Sequence, residues 1–210
     1  MQLLGRLEIK SKEKIIKFLN EQDTGRICSI DKDGYPQIIP MNFVYTNDVI
    51  YMHSHTKGEK IENIKRNTKV GFEVDKSLEF LPSYFTDPVD ASQADTLYIS
   101  IVIKGIGALV SDRNEKTLAL NALMKKYQPE GKYASIKPDM AVVDEVAIIK
   151  VIPATMRGKY KIGQHWDKKT RLEIAQKILE RNTATAKNTL DIMGIRQTKN
   201  GLEISEEPLW

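Results

Sequence analysis

Short apolar runs bounded by turn-forming residues dominate most of the chain. This pattern is typical of β-strands joined by tight connections. Asp33-Gly34 and Thr46-Asn47-Asp48 mark two such turns, because Asp-Gly and Asn-rich pairs favour hairpins. The predicted strands are residues 26–30, 35–45, 49–54, 70–74, 97–110 and 146–151.

Several segments between these runs show the periodicity of a helix. A first helix is expected to begin at Ser11, a good N-cap residue. Thr56 and Glu59 have the spacing of a capping box, in which two side chains satisfy backbone amides at a helix start. Asp112 and Glu115 have the same spacing. Two more amphipathic helices are predicted near residues 174–179 and 185–193, before a polar tail.

Prolines and glycines constrain two of the predicted strands. Pro36 and Pro40 lack an amide donor, so their strand must lie at an edge or contain an irregularity. Gly105 and Gly107 predict a bend, a bulge or a close approach of two backbones.

Hairpin-joined strands with inserted helices favour an antiparallel barrel over alternating βαβ units. The predicted fold class is therefore α+β, mainly β, with about six strands and peripheral helices. Residues 1–165 are expected to form this domain, and residues 166–210 a helical C-terminal extension packed on it. The chain contains no GxGxxG after its first strand and no GxxxxGK, so the usual nucleotide-binding loops are missing.

Composition narrows the classes of function. The 210 residues are 41% hydrophobic and 29% charged, as expected for a globular protein, and a net charge of +4 is spread along the chain. The spread charge favours a small anionic ligand over nucleic acid. A single cysteine, Cys28, in an apolar run predicts a buried thiol and a cytoplasmic protein. No apolar stretch is long enough to span a bilayer, so we expect no membrane role.

The segment YMHSHTKGEKIENIKRN, residues 51–67, carries the most chemical information. A strand ending in hydroxyl and imidazole side chains passes directly into a lysine-rich helix. The free amides of a helix start attract phosphate, and Lys57 or Lys60 would add a full charge. Ser54 and Thr56 could donate hydroxyl hydrogen bonds to the same group. The alternative is a capped surface helix with solvated lysines.

Three segments in order resemble a known family: DGYPQIIPMNFVY, DVIYMHSHTKGEKIENIKRNTKVGFEV and YISIVIKGIGALVSD. They are similar to the FMN-binding split barrel of the pyridoxamine 5′-phosphate oxidase superfamily, nearest its nitroimidazole-resistance (Nim) branch. The resemblance covers roughly residues 25–151. It implies an antiparallel split β-barrel that binds FMN between the two subunits of a homodimer.

The resemblance also implies which residues contact the cofactor. Residues of the second strand would lie beside the isoalloxazine, and the end of the third strand with the following lysine would hold the phosphate. Trp166 lies in a stretch similar to the closing segment of several flavin-binding relatives. It is expected to stack near the flavin, or else to pack in the core or at the dimer seam. The implied set is Pro40, Met41, Asn42, His53, Ser54, Lys57, Lys60, Ser100 and Trp166.

Two departures from the family pattern affect the predicted phosphate contact and the predicted activity. Glu59 stands where the oxidases commonly have a basic residue, and its carboxylate would repel phosphate unless it turns back to cap the helix. Phosphate contact could then shift towards Lys57. The Arg-x-His pattern of the oxidases is not found, so oxidation of pyridoxamine phosphate is not expected.

Further arguments concern the roles of His53 and Asn42. His53 aligns with a histidine that the Nim branch places near the flavin, so it is the candidate catalytic residue, able to orient a substrate or relay a proton. A purely structural role is the alternative. Asn42, if buried, would need the flavin's polar edge as partner, whereas a solvent-facing Asn42 would not. No metal is expected, because no Cys or Asp cluster supports the histidines.

The sequence thus predicts an FMN-dependent oxidoreductase that reduces a small organic substrate, nitroreductase-like or flavin reductase-like. The alternative is a non-catalytic flavin-binding sensor or regulator, since fold alone does not settle activity. A basic nucleic-acid module is the weakest alternative, because aromatic residues do not interleave with a basic stripe.

Overall fold

The computed structural model describes residues 5–207. By packing, these residues divide into two compact units. We call residues 12–74 and 101–157 the barrel unit, and residues 5–11, 75–100 and 158–207 the extension unit. The predicted boundary between residues 165 and 166 stays a prediction.

Helices and strands follow one another along the chain as follows. The helices are α1 (Lys12–Glu21), α2 (Glu59–Arg66), α3 (Arg113–Tyr127), α4 (Val142–Glu145), α5 (Lys168–Arg181) and α6 (Ala186–Ile192). The strands are β1 (Glu8–Ile9), β2 (Thr24–Ile30), β3 (Pro36–Asn42), β4 (Val44–Thr46), β5 (Val49–His55), β6 (Lys69–Leu81), β7 (Asp95–Leu109), β8 (Val146–Lys161), β9 (Ile195–Thr198) and β10 (Gly201–Ile204).

The larger sheet has the strand order β3-β2-β6-β7-β8-β5-β4. The pairs β2–β3, β2–β6, β4–β5 and β5–β8 are all antiparallel. Within the described residues the order is open, with β3 at one end and β4 at the other. The expected α+β fold with an antiparallel split barrel is therefore confirmed.

Of the alternatives predicted from the two prolines, the edge position is the one that the structure shows. Pro36 and Pro40 both lie on β3, which pairs with β2 and ends the strand order. The single strand predicted over residues 35–45 is instead two strands, separated at Phe43. The Phe43 amide donates to the Tyr127 hydroxyl at 2.8 Å rather than to a strand neighbour, and its ring is fully buried. This contact with α3 divides the run.

An apolar core lies between α3 and the strands β4, β5 and β8. Its buried members are Val44, Tyr51, Val110, Ala119, Leu123 and Ile148. Asp112 caps α3 as predicted, because its carboxylate accepts from the Glu115 amide at 2.7 Å. The reciprocal half of the capping box is absent from the bonds the structure describes, since Glu115 instead accepts from Tyr51 and Lys150 at 2.9 and 2.8 Å. Burial and this carboxylate raise the pKa of Tyr51 to about 12.

In the extension unit, the predicted helices are confirmed as α5 and α6. The predicted polar tail is wrong in part, because β9 and β10 pair as an antiparallel hairpin. β8 also runs past the predicted strand end to Lys161, where it pairs with β1. No helix in residues 5–207 is long and apolar enough to cross a membrane.

Candidate functional site

Pairing between β5 and β8 decides where the side chains at the end of β5 point. His53 pairs with Ile148, and His55 with Val146. Because side chains alternate along a strand, His53 and His55 share one face, while Ser54 lies on the other face with the buried Met52. The two predicted residues His53 and Ser54 therefore point in opposite directions.

Ser54 carries an unsatisfied buried hydroxyl. The residue is 8% exposed, and its Oγ is buried without a hydrogen-bond partner among the residues that the structure describes. Leaving a buried polar group unpaired costs about 1–3 kcal/mol, so native proteins rarely do so without a reason. A ligand that accepts a hydrogen bond would remove this cost.

The turn between β5 and α2 exposes the start of the helix. The Lys57 amide donates to His55 Nδ1 at 3.1 Å, which holds the turn. Gly58 is the N-cap with φ 141°, a conformation that favours glycine. The first helical bond runs from the Ile61 amide to the Gly58 carbonyl at 3.0 Å. The α2 amides that come before Ile61 lie ahead of this first helical bond, so they are available to an acceptor.

The capping box predicted for this helix is wrong. No side-chain cap is present at the start of α2 in the described structure, and Thr56 is exposed. Glu59 instead directs its carboxylate to the Gln37 side-chain amide on β3. Glu59 Oε2 and Gln37 Nε2 are in direct contact, so the acid that would repel phosphate is held by a neighbouring strand.

Lys57 and Lys60 flank this helix start. Lys57 lies in the turn and is exposed, whereas Lys60 lies in the first turn of α2 and is half-buried. With the Ser54 hydroxyl and the helix amides, the segment gathers donors and positive charge. This arrangement is suited to an anion.

Asn63 is a polar residue that the sequence interpretation missed. It is 1% exposed and lies on the buried face of α2, between Ile61 and Ile64. Its Nδ2 donates to Ser29 Oγ at 3.3 Å and to Gln37 Oε1 at 3.2 Å. An amide between two apolar residues of one helical face was the signal available in the sequence.

β3 presents the residues expected beside the flavin ring. Pro40 and Asn42 are exposed and Met41 is half-buried. Asn42 therefore does not need a partner to offset its own burial in this chain. These three residues pair with Thr24, Gly25 and Arg26 of β2.

A shallow groove of about 270 Å³ lies against β2, β3 and β6. It is lined by Arg26, Cys28, Ile38, Gly71, Phe72, Glu73 and Val102. Cys28 is half-buried rather than buried as predicted. The groove was not predicted, because its lining comes from strands that are far apart in the sequence.

Ser100 and Trp166 belong to the extension unit. Ser100 is half-buried on β7. The Trp166 ring packs on Gly163, where a Cβ would lie 2.4 Å from the indole Cε3. Glycine at this position leaves room for the indole. A contact of Ser100 or Trp166 with the flavin stays a prediction.

Comparisons with solved structures show the same fold. The chain is similar to a protein described as a 5-nitroimidazole antibiotic resistance protein from Bacteroides thetaiotaomicron, at 26% identity and a TM-score of 0.62, over 73% of this chain and 86% of that chain. The flavocytochrome Anf3 from Azotobacter vinelandii is 17% identical with a TM-score of 0.65, over 77% and 72% of the two chains. An FAD and heme binding protein from Mycobacterium smegmatis is 15% identical with a TM-score of 0.62, over 73% of each.

The comparison with family models agrees with these structural similarities. No curated protein matches the chain. The model described as pyridoxamine 5′-phosphate oxidase matches residues 11–160, which is most of the chain and includes the whole of β2 to β7. The chain therefore belongs to the pyridoxamine 5′-phosphate oxidase family.

Proposed function

We propose that the protein binds FMN as a homodimer and is an oxidoreductase that reduces a small organic substrate. The observation that carries this proposal is the Ser54 hydroxyl near the end of β5, which is buried and has no partner in the described part of the chain, a short turn before the start of α2. Membership of the family supports the same choice of ligand. Oxidation of pyridoxamine phosphate is not proposed, because the Arg-x-His pattern is not found in the sequence.

The residues at the start of α2 fit a phosphate group. Ser54 Oγ, the first-turn amides and the Lys57 and Lys60 ammonium groups are all donors, and phosphate oxygens are acceptors. Lys60 would contribute most among the charged groups, because it lies in the helix and is partly shielded from water. Glu59 does not oppose the phosphate from the helix start while Gln37 holds its carboxylate.

The ring would be held by β3. Pro40 and Asn42 share the exposed face of β3, and Met41 lies on the other face. Pro40 offers an apolar surface to the ring, and the Asn42 amide can pair with the polar edge of the isoalloxazine. When bound, FMN would supply the electron transfer. The contribution of β3 is orientation of the ring.

His53 is proposed as the group that exchanges a proton with the substrate. Its side chain is exposed, on the face of β5 opposite Ser54. One imidazole nitrogen can accept a proton and the other can donate one, so the side chain can serve as a proton carrier. Exposure leaves it accessible to a small substrate.

The homodimer is proposed to use the outer surface of β3. Tyr35 and Ile38 are 71% and 62% exposed, and Ile38 lines the apolar groove. Large exposed apolar side chains beside a groove mark interaction surfaces. Residues 80–95 and Trp166 are proposed as contacts from the second subunit.

The phosphate assignment is tested by comparing Lys60→Ala with Lys125→Ala, a lysine exposed on α3. Loss of a charge-assisted hydrogen bond is expected to weaken FMN binding about tenfold in Lys60→Ala. Lys125→Ala should bind FMN like the wild type. Titration of the apoprotein with FMN, followed by flavin fluorescence, measures both constants, and equal affinities would exclude Lys60 from the phosphate site.

The redox assignment has a separate test. The purified protein should show flavin absorbance or take up added FMN, and the bound flavin should be reduced by NAD(P)H, a reduced deazaflavin or dithionite. A protein that takes up no FMN would refute the proposal. Tight binding without reduction by any of the three would favour a sensor.

A further inference from the structure

Glu59 places an acid in the first turn of the helix proposed to bind phosphate. A carboxylate at the positive end of a helix is attracted to the same amides as a phosphate group. In the structure, Glu59 Oε2 instead accepts from Gln37 Nε2. The contacts that keep the Glu59 carboxylate on Gln37 are therefore relevant to the affinity for FMN.

Four side chains form a directed series of hydrogen bonds, which we call the amide relay: Arg66, Asn63, Gln37 and Glu59. Arg66 Nη2 donates to Asn63 Oδ1 at 2.7 Å, and Asn63 Nδ2 donates to Gln37 Oε1 at 3.2 Å. Gln37 Nε2 then donates to Glu59.

The two ends of the relay determine the orientation of both amides. A guanidinium can only donate, and an ionised carboxylate can only accept. Arg66 therefore requires the oxygen of Asn63, which turns its nitrogen towards Gln37. Gln37 in turn accepts through its oxygen and must present its nitrogen to Glu59. Reversing either amide would break two bonds.

The relay is anchored in the barrel unit. Arg66 Nη2 also donates to the Ile30 carbonyl at 3.0 Å, at the end of β2. Asn63 is buried and donates to Ser29 Oγ at 3.3 Å. The buried Asn63 amide has little freedom with these partners, so the Gln37 side chain that accepts from it has a defined donor direction.

We propose that the amide relay is a positioning device that keeps the Glu59 carboxylate on β3 and leaves the start of α2 free for phosphate. This inference rests on the proposed binding of FMN. Gln37 lies on the same strand as Pro40 and Asn42. The relay thus also connects the strand proposed for the ring to the helix proposed for the phosphate.

The test is a double-mutant cycle on Gln37 and Glu59. Gln37→Met removes the donor while keeping a similar length, so the carboxylate can turn to the helix start and compete with phosphate. FMN affinity is expected to fall about fivefold, the size of a charge interaction at a helix terminus. Gln37→Met with Glu59→Gln should recover the wild-type affinity, and Glu59→Gln alone should change it less than twofold.

Riboflavin is the second probe, because it has the ring without the phosphate. Its affinity should be the same in the wild type and in Gln37→Met. Glu62→Gln is the matched control, since Glu62 lies on the same helix and pairs with Lys65 at 2.9 Å instead. Adding Glu62→Gln to Gln37→Met should not restore FMN binding. Thermal unfolding of each variant verifies that it is folded, and Gln37→Ala repeats the test if Gln37→Met is unfolded.

The possible outcomes distinguish a failure of this inference from a failure of the proposed FMN binding. If the wild type binds FMN but Gln37→Met binds it equally well, the relay has no positioning role. A loss that Glu59→Gln does not reverse, or an equal loss for riboflavin, also contradicts the relay. If the folded wild type does not bind FMN, the proposed function fails and the relay with it.

Discussion

Ser54 shows how a single residue can be unfavourable for the free chain and favourable for a complex. Its hydroxyl is buried without a partner in the described structure, so it costs stability when nothing is bound. The same group would become a satisfied donor beside a phosphate. Stability of the apoprotein and affinity for FMN should therefore respond in opposite directions at this position.

Ser54→Ala is expected to leave the free energy of unfolding of the apoprotein unchanged or to raise it by about 1 kcal/mol. The same substitution should weaken FMN binding about tenfold, because one donor to the phosphate is lost. Chemical denaturation and FMN titration measure the two effects. Ser111→Ala, at an exposed serine, is the control. A marked loss of stability without loss of affinity would assign Ser54 a structural role.

Close packing between β2 and β6 depends on a glycine. A Cβ on Gly25 would lie 2.1 Å from Phe72 Cζ, far inside van der Waals contact. The Phe72 ring is buried and packs edge-on against Phe43, with ring centroids 5.1 Å apart. The ring cannot move away without disturbing this pair. Gly25 therefore allows an aromatic side chain to cover the backbone of β2.

Gly25→Ala is expected to lower the free energy of unfolding by about 2 kcal/mol through overpacking. Gly71→Ala on β6 is the matched control, because its Cβ would meet only Cys28 Cβ at an ordinary 3.5 Å. That variant should be neutral or slightly more stable, since alanine restricts the unfolded chain. Urea denaturation compares the two, and similar midpoints would show that the Phe72 ring adapts freely.

The exposed side chains of β3 and of the neighbouring turn are central to the proposed dimer. Ile38 combines high exposure with a position in the groove. A charge placed at the centre of an apolar interface would have to be desolvated without a partner. The FMN site, proposed to lie between subunits, would be lost at the same time.

Ile38→Glu is expected to elute as a monomer and to bind FMN more weakly than the wild type. Leu118→Glu is the control, at an exposed apolar residue of α3 that is not part of the groove. Light scattering coupled to gel filtration gives the mass of each variant. A dimeric Ile38→Glu would exclude this surface of β3 as the interface.

Local patterns predicted the features that depend on neighbours in sequence. Pro36 and Pro40 indicated the edge strand, because a missing amide donor has the same consequence in any fold. Asp112 indicated the start of α3, since a cap bonds to an amide three residues away. The same reasoning was wrong for Thr56 and Glu59. There a distant donor to the Glu59 carboxylate, the Gln37 side-chain amide, replaced the local backbone donor.

The antiparallel strand pattern could be predicted from the amino-acid sequence, because it follows from periodicity and turn residues. The family, and the segment from Tyr51 to Asn67 as candidate phosphate site, came from the resemblance of three segments to known proteins. Three features required the folded structure: Ser54 is buried without a partner among residues 5–207, His53 lies on the opposite face of β5, and Glu59 is held by Gln37. Strand pairing brings residues from distant parts of the chain together, and hydrogen-bond partners and burial depend on that pairing.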